Sequence, residues 1–234
     1  FTLRDFSILL GIIFIPFSLT LLQPDFGTAV TFLALIPAIF VFSDLKLKEI
    51  LKLGAIGASI FLILFGLAWV SFFKPYQKER ILTFLDPSRD PQKAGYQINQ
   101  AKIAVGSGKI YGKGLHSGTQ NRLNFLPAPH TDFIFAVIGE ELGFAGSSFV
   151  IILFFILLNK LLIIAENAKT REGSFLCIAA FFLLFFHICV NIGMVLGLFP
   201  IMGIPLPFLS YGGSFLVTTT FLVGLTLNVG TYQY

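Results

Sequence analysis

Charged side chains are scarce in this sequence. Only 12% of its 234 residues are Asp, Glu, Lys or Arg, against about 25% in soluble globular domains. Hydrophobic residues make up 56%, and the mean hydropathy is +0.86. This composition excludes an ordinary soluble domain and indicates an integral membrane protein.

Cysteine and histidine are also rare, and their positions exclude several kinds of site. Cys177 and Cys189 lie in one apolar stretch on different sides of a helix, so they form neither a metal pair nor a disulfide framework. The three histidines lack metal-ligand spacing. His187 is interpreted as a polar group packed between helices, with Asn191 as its expected partner. The glycines of Gly108–Lys113 are too close together for a phosphate-binding P-loop.

Six apolar stretches are long enough to cross the hydrocarbon core, for which a helix needs about 17 to 25 residues. Barrel strands would alternate apolar and polar residues, whereas residues 61–65 and 181–186 are apolar on every face. We therefore predict an all-α fold, a polytopic transmembrane helical bundle with a large extracytoplasmic loop, in a single membrane domain over residues 1–234. The predicted spans are 6–22, 27–43, 53–73, 133–158, 174–202 and 204–229, and the loop is 74–131.

Basic residues in the short connections predict the orientation. The turns at 23–27 and 199–210 carry none, which places them outside by the positive-inside rule. Both termini are therefore predicted to be cytoplasmic, and the long loop to be translocated regardless of its charge. The basic residues that define the inner side are Arg4, Lys46, Lys48, Lys52, Lys160, Lys169 and Arg171.

The loop itself is basic. Its nine Lys and Arg outnumber the acidic residues Glu79, Asp86 and Asp90, so it would attract an anionic partner at the outer membrane surface. Contact with anionic lipid headgroups is the simpler alternative. A short helix predicted at residues 96–105 would place Lys102 at the bilayer edge.

Three carboxylates follow or end this loop. Asp132 stands just before an apolar run, where it would either cap a helix or act in catalysis. Glu140 and Glu141 lie inside a span, where carboxylates are costly and are functional or internally paired. A continuous helix would separate Asp132 from Glu140 by about 12 Å, so different roles are expected for them.

Prolines and glycines interrupt the start of the sixth predicted span, at residues 203–214. Irregular backbone at membrane depth is tolerated where protein buries it or where it lines a wet cavity. This segment is thus interpreted as an outward-facing cavity wall, with a plain helix-entry turn as the alternative.

Several motifs in order along the chain resemble the SEDS family of cell-wall proteins (shape, elongation, division and sporulation). Within it, Gly118–Gln120 and Gly203–Pro207 resemble the RodA-like elongation branch. The motifs that carry the resemblance are Leu85–Pro87, Ala94–Gln97, Gln100–Gly108, Gly112–Gly114, Gly118–Gln120, Phe125–Pro127, His130–Ala136, Gly139–Gly143 and Pro205–Ser214.

The resemblance implies a peptidoglycan glycosyltransferase in the cell (inner) membrane that polymerises lipid II during cell elongation, with roles in cell shape and division. It implies a class B penicillin-binding protein, a transpeptidase, as partner, and no nucleic acid. Asp132 would be the catalytic base. No residue cluster demands a cofactor, although a divalent cation (Mg²⁺ or Mn²⁺) could help neutralise the pyrophosphate. The implied substrate-binding residues are Lys102, Arg80, Lys113, Gln120, His130, Thr131, Glu141, Ser210, Gly212 and Gly213.

Two departures from the family pattern accompany this resemblance. Family members have about ten spans, so the chain is expected to correspond to the C-terminal portion and to lack about four N-terminal helices. Ala128 also stands where an acidic residue is common. Two other functions stay open: a transporter or flippase of lipid-linked cell-wall precursors, in which Glu140 and Glu141 relay protons, and a non-catalytic scaffold of the elongation complex. Most of the spans contain few polar residues, which favours chemistry at the membrane surface over transport.

Overall fold

The computed structural model describes residues 3–23, 25–42, 48, 52, 59, 66, 78–79, 82–84, 86, 94–122, 125–126 and 128–231. Every regular element in these ranges is an α-helix, which confirms the predicted all-α class. In chain order the helices are α1 (Leu3–Leu22), α2 (Phe26–Leu33), α3 (Ile36–Phe42), α4 (Ala94–Ser107), α5 (Thr119–Arg122), α6 (Ile134–Asn167), α7 (Arg171–Leu196) and α8 (Gly213–Thr231).

Three of these helices, α6, α7 and α8, are long and apolar enough to cross a membrane. In lipid, a helix forms all of its backbone hydrogen bonds internally, so a long apolar run that crosses the membrane is expected to be helical. The protein is therefore an integral membrane protein. Helix α6 continues beyond the predicted end at residue 158, and α4 contains the short helix predicted at 96–105.

The ends of the last two predicted spans differ from the structure. Helix α7 ends at Leu196, and α8 begins only at Gly213, so residues 197–212 form a non-helical segment, which we call the broken segment. Gly197 closes α7 in the left-handed conformation (φ 74°), with its N–H directed to the carbonyls of Gly193 and Met194, as in many helix C-termini. Prolines at 200, 205 and 207 then provide no backbone N–H to continue a helix.

The second predicted span, 27–43, is divided into α2 and α3. Pro37 lacks the N–H that would bond to Leu33 O, which interrupts the helix there. The Asp25 carboxylate caps α2 by accepting from Thr28 N at 3.1 Å. The third predicted span, 53–73, lies outside the described residues apart from Ser59 and Gly66, so the number of six spans stays a prediction.

Helix α4 packs closely on α6, and this contact forms one side of the core. A Cβ at Gly108 would collide with the carbonyl of Gly139, and a Cβ at Gly139 would lie 3.0 Å from Val105 Cγ2. Glycine at both positions therefore permits the close approach. The buried cluster that joins α4 and α6 to α7 includes Ile98, Ala101, Ala104, Phe133, Phe135, Ala136, Leu184, Ile188, Met194 and Leu206.

Candidate functional site

The broken segment is bound to the residues that precede α6. Tyr211 N donates to His130 O at 2.8 Å, and Ser210 Oγ donates to Thr131 O at 2.6 Å. Ser210 Oγ also accepts from Leu206 N at 2.7 Å, which closes a turn within the segment. The two stretches are thus held together residue by residue.

A third bridge comes from α7. The amide nitrogen of the buried Asn191 donates to Asp132 O at 2.9 Å and to Ile204 O at 2.8 Å. His187 is therefore not the partner of Asn191, contrary to the prediction from the sequence: His187 Nδ1 contacts Leu183 O at 2.8 Å within its own helix. An intramembrane asparagine signals an interhelical bond, but local spacing does not reveal a partner far along the chain.

The Asp132 carboxylate, which is partly buried, lies beside Gly203. A Cβ at Gly203 would lie 3.6 Å from Asp132 Oδ2, and the φ of +70° at this position favours glycine. Phe133, without a side-chain cap, occupies the N-cap position of α6. Asp132 therefore precedes the cap position that one interpretation of the sequence gave it.

Two residues with side chains adopt positive φ in the paired stretches. Ala128 has a φ of 51° and Phe208 a φ of 63°. Such conformations cost about 1 to 3 kcal/mol each and often occur at functional sites. Thr131 supports the first of them, because both its N–H and its hydroxyl donate to Ala128 O at 3.2 Å.

Lys102 projects from α4 toward Gly197, the first residue of the broken segment. A Cβ at Gly197 would collide with Lys102 Cε, and its distance to Nζ would be 2.5 Å. The ammonium thus lies at the C-terminus of α7, where the helix dipole favours a cation. Residues 197–203 are therefore contacted by Lys102 at one end and by Asp132 at the other.

Glu140 is paired inside the protein. Its fully buried carboxylate accepts from Lys113 Nζ at 2.7 Å and from the backbone N–H groups of Thr119 and Gln120 at 2.8 and 3.2 Å. Lys113 also donates to Thr119 Oγ1 at 3.0 Å. Of the two roles that the sequence left open for Glu140, the structure supports internal pairing.

The segment at 109–114 fills a break in α6. At Gly143 (φ 66°, ψ −161°) the helix is interrupted. Backbone N–H and C=O groups of α6 on either side of the break form hydrogen bonds with the loop instead of with other residues of the helix. Phe144 N and Ala145 N donate to Lys109 O and Ile110 O at 2.8 and 3.0 Å. In return, two loop N–H groups donate to the helix: Lys113 N to Glu140 O and Gly114 N to Glu141 O, both at 3.0 Å.

The remaining residues implied by the resemblance are distributed around these contacts. Glu141 Oε2 accepts from His116 N at 3.1 Å. Gln120 Oε1 is buried and has no hydrogen-bond partner among the described residues. His130 has an exposed side chain. Gly213 is the first residue of α8, and Gly212 directly precedes it, with Gly212 O accepting from Leu216 N at 2.9 Å. Arg80 lies outside the described residues.

The described residues do not fit a metal site. Within that part of the chain, no three His, Cys, Asp or Glu side chains come close enough together to hold a metal ion.

Comparison with known families places these motifs. The family model FTSW_RODA_SPOVE, described as "Cell cycle protein", matches residues 1–234. The chain belongs to this family. Its membership confirms the SEDS resemblance, since the matched region covers the whole chain.

Several curated relatives are similar to the chain. It is 40% identical over 234 residues to the peptidoglycan glycosyltransferase MrdB of Escherichia coli (strain K12), covering 99% of this chain and 62% of the relative. It is 39% identical over 230 residues to stage V sporulation protein E of Bacillus subtilis (strain 168), covering 98% and 61%. It is 40% identical over 211 residues to a probable peptidoglycan glycosyltransferase FtsW of Geobacter sp. (strain M18), covering 90% and 56%. The chain thus spans less than two thirds of the length of these relatives.

Two solved structures share the fold. One is described as "Structural coordination of polymerization and crosslinking by a peptidoglycan synthase complex"; it matches with a TM-score of 0.77 and 31% identity, over 99% of this chain and 63% of that one. The other is an aspartate-to-alanine mutant of the rod shape-determining protein RodA from Thermus thermophilus, with a TM-score of 0.63 and 25% identity, over 100% and 59%.

Proposed function

We propose that the chain belongs to a peptidoglycan glycosyltransferase that polymerises lipid II, with Asp132 as its general base. The observation that carries the proposal is the position of the Asp132 carboxylate. The carboxylate lies beside Gly203, and the backbone carbonyl of Asp132 accepts a hydrogen bond from Asn191. A base held on a rigid frame suits proton transfer, which requires hydrogen-bond distance to the reacting hydroxyl.

In the proposed reaction, Asp132 accepts the proton of an acceptor-sugar hydroxyl as that oxygen attacks the anomeric carbon of the donor. A new glycosidic bond forms, and the bond from the anomeric carbon to the lipid pyrophosphate breaks. The pyrophosphate leaves with the bonding electrons. The carboxylate contributes about 10²- to 10⁴-fold to the rate in such a role.

Charge on the leaving pyrophosphate requires cations, and Lys102 is the better of the two described candidates. Its ammonium lies beside Gly197, at one end of residues 197–203, and the Asp132 carboxylate lies beside Gly203 at the other end. Lys113 is bonded to Glu140 and Thr119, so its charge is already compensated. We therefore propose that Lys102 stabilises the leaving group, a preorganised charge of the kind that often dominates catalysis, and that Lys113 supports the loop. Arg80 is proposed for the same task on the family resemblance.

The other proposed substrate-binding residues shape the site in different ways. The hydroxyl groups of Ser210 and Thr131 form hydrogen bonds within the protein, so their proposed role is to stabilise the backbone around the site. The exposed His130 and the backbone of Gly212 and Gly213 are available to a sugar or a phosphate. Gln120 and Glu141 are proposed to act from the loop side.

We propose an orientation with both termini in the cytoplasm, so that the site faces the outer surface of the inner membrane. The proposed partner is a class B penicillin-binding protein; the structural neighbour that couples polymerisation with crosslinking supports it. The proposed elongation role rests on the resemblance of Gly118–Gln120 and Gly203–Pro207 to the elongation branch, since the identities to MrdB, stage V sporulation protein E and FtsW, 40%, 39% and 40%, do not distinguish between these relatives.

Transport and scaffolding are the alternatives, and the contacts of Glu140 argue against transport. A proton relay requires a carboxylate that exchanges partners, whereas the buried Glu140 carboxylate accepts from Lys113 and from two backbone N–H groups. The proposed function is tested by incubating the purified full-length protein with labelled lipid II in detergent and sizing the glycan products. Detergent leaves no second compartment, so a transporter or a scaffold would yield no polymer.

A further inference from the structure

One side chain in α7 joins the two halves of the candidate site. Asn191 is fully buried, and its Nδ2 donates to Asp132 O and to Ile204 O at 2.9 and 2.8 Å. Ile204 directly follows Gly203, the residue beside the Asp132 carboxylate. A single amide therefore connects the backbone of the proposed base to the backbone of the wall that faces it.

These two bonds suit a side-chain amide. Both acceptors are carbonyl oxygens, so each needs a hydrogen-bond donor; a hydroxyl carries one such donor, whereas an amide carries two on one nitrogen. The same atom Nδ2 makes both contacts, while Asn191 Oδ1 is buried without a hydrogen-bond partner in the described structure. The contribution of this residue therefore comes from its nitrogen.

The neighbouring bridges hold other residues. Ser210 Oγ bonds to Thr131 O, and Tyr211 N bonds to His130 O. These contacts align the chain before Asp132, whereas Asn191 bonds to the peptide unit of Asp132 itself. A displacement of about 1 Å at a reacting group can reduce the rate about 10²-fold.

We propose that Asn191 is a positioning residue, which aligns the Asp132 carboxylate with the broken segment through these two hydrogen bonds. The inference rests on the proposed function, since it assigns Asn191 a role in the reaction at Asp132. It adds a buried residue of α7 to the machinery of the site, although that residue touches neither substrate nor reacting atoms.

The test uses the full-length protein and labelled lipid II. Asn191→Leu removes both donors at similar side-chain size, and Asn191→Asp replaces them with acceptor oxygens. For each variant that keeps the thermal stability and elution profile of the wild type, we expect kcat to fall about 10²-fold while KM for lipid II changes less than about 3-fold. If one variant fails to fold, the other provides the measurement.

Asn167→Asp is the matched control, because its amide donates to Ile163 O within α6. It should leave kcat and KM unchanged. An unchanged kcat in a folded Asn191 variant, or a rise in KM alone, would overturn the positioning role. The proposed function fails separately, if Asp132→Asn polymerises lipid II normally, and an inactive Asp132→Asn beside a fully active Asn191→Leu would reject only the present inference.

Discussion

Lys113 Nζ lies 2.7 Å from Glu140 Oε1, in an ion pair between a partly exposed ammonium and a carboxylate with no exposed surface. The carboxylate also accepts two backbone N–H groups from the start of α5. A buried charge is tolerated when it is paired and hydrogen-bonded. This pair thus fastens the loop before α5 to α6.

Lys113→Met should destabilise the protein. It leaves Glu140 buried with its backbone donors but without a counter-charge, and a lost hydrogen bond to a charged group costs about 1.5 to 3 kcal/mol. The measurement is the free energy of unfolding in detergent. Lys160→Met, at an exposed position of α6, the helix that contains Glu140, should change the free energy of unfolding by less than about 0.5 kcal/mol. Equal stability of Lys113→Met and wild type would contradict a structural role for the pair.

Gly143→Ala should disrupt the exchange of hydrogen bonds between α6 and the 109–114 segment. At φ 66° and ψ −161° a side chain is strained, and its Cβ would collide with Gly112 N. We expect a loss of about 3 kcal/mol or more, since strain and steric overlap add. Thermal denaturation in detergent measures it.

Gly224→Ala is the control for that substitution, because a Cβ there meets no atom within 4 Å. Alanine in a helix interior is favoured over glycine by about 1 kcal/mol, so this variant should be as stable as wild type or more so. A Gly143→Ala protein with the stability of Gly224→Ala would show that α6 can continue through residue 143.

The long helices and the interruption before α8 could be predicted from the sequence, whereas the end of α7 at Gly197 and the break at Gly143 could not. Apolar runs over α6 and α7 have few structures available to them in lipid other than a helix, so hydropathy located them. The end of α7 at Gly197 was missed because Leu198, Phe199 and Ile201 are still apolar and extend the hydropathy signal past the left-handed glycine. The break at Gly143 was missed for the same reason.

The partners of the polar residues were equally hidden. Motif resemblance singled out Asp132 and Lys102, but nothing local indicates that Glu140 pairs with Lys113 across 27 residues or that Asn191 bonds to Asp132 across 59. Spacing along one helix favoured His187 as the partner of Asn191. Such long-range contacts depend on how α4, α6 and α7 pack, which no local pattern specifies.

Lys102→Ala should weaken use of the lipid-linked donor. Removing a cation beside the leaving pyrophosphate is expected to lower kcat/KM by about 10-fold or more, since one preorganised donor is worth about 10²- to 10³-fold at a well-formed site. Polymerisation rates at varied lipid II concentration measure the effect. Lys169→Ala, at an exposed position just before α7, is the control, and an equal loss in both variants would point to a folding or insertion defect.

The central claim is that the Asp132 carboxylate is a general base, and Asp132→Asn in the full-length protein tests it most directly. Asparagine has nearly the same size as aspartate, and residue 132 lies outside the N-cap position that Phe133 occupies, so folding and partner binding should survive. The amide cannot accept a proton at working pH, so lipid II polymerisation should fall about 10²- to 10⁴-fold. A folded, partner-binding Asp132→Asn protein that makes glycan at the wild-type rate would contradict the catalytic assignment.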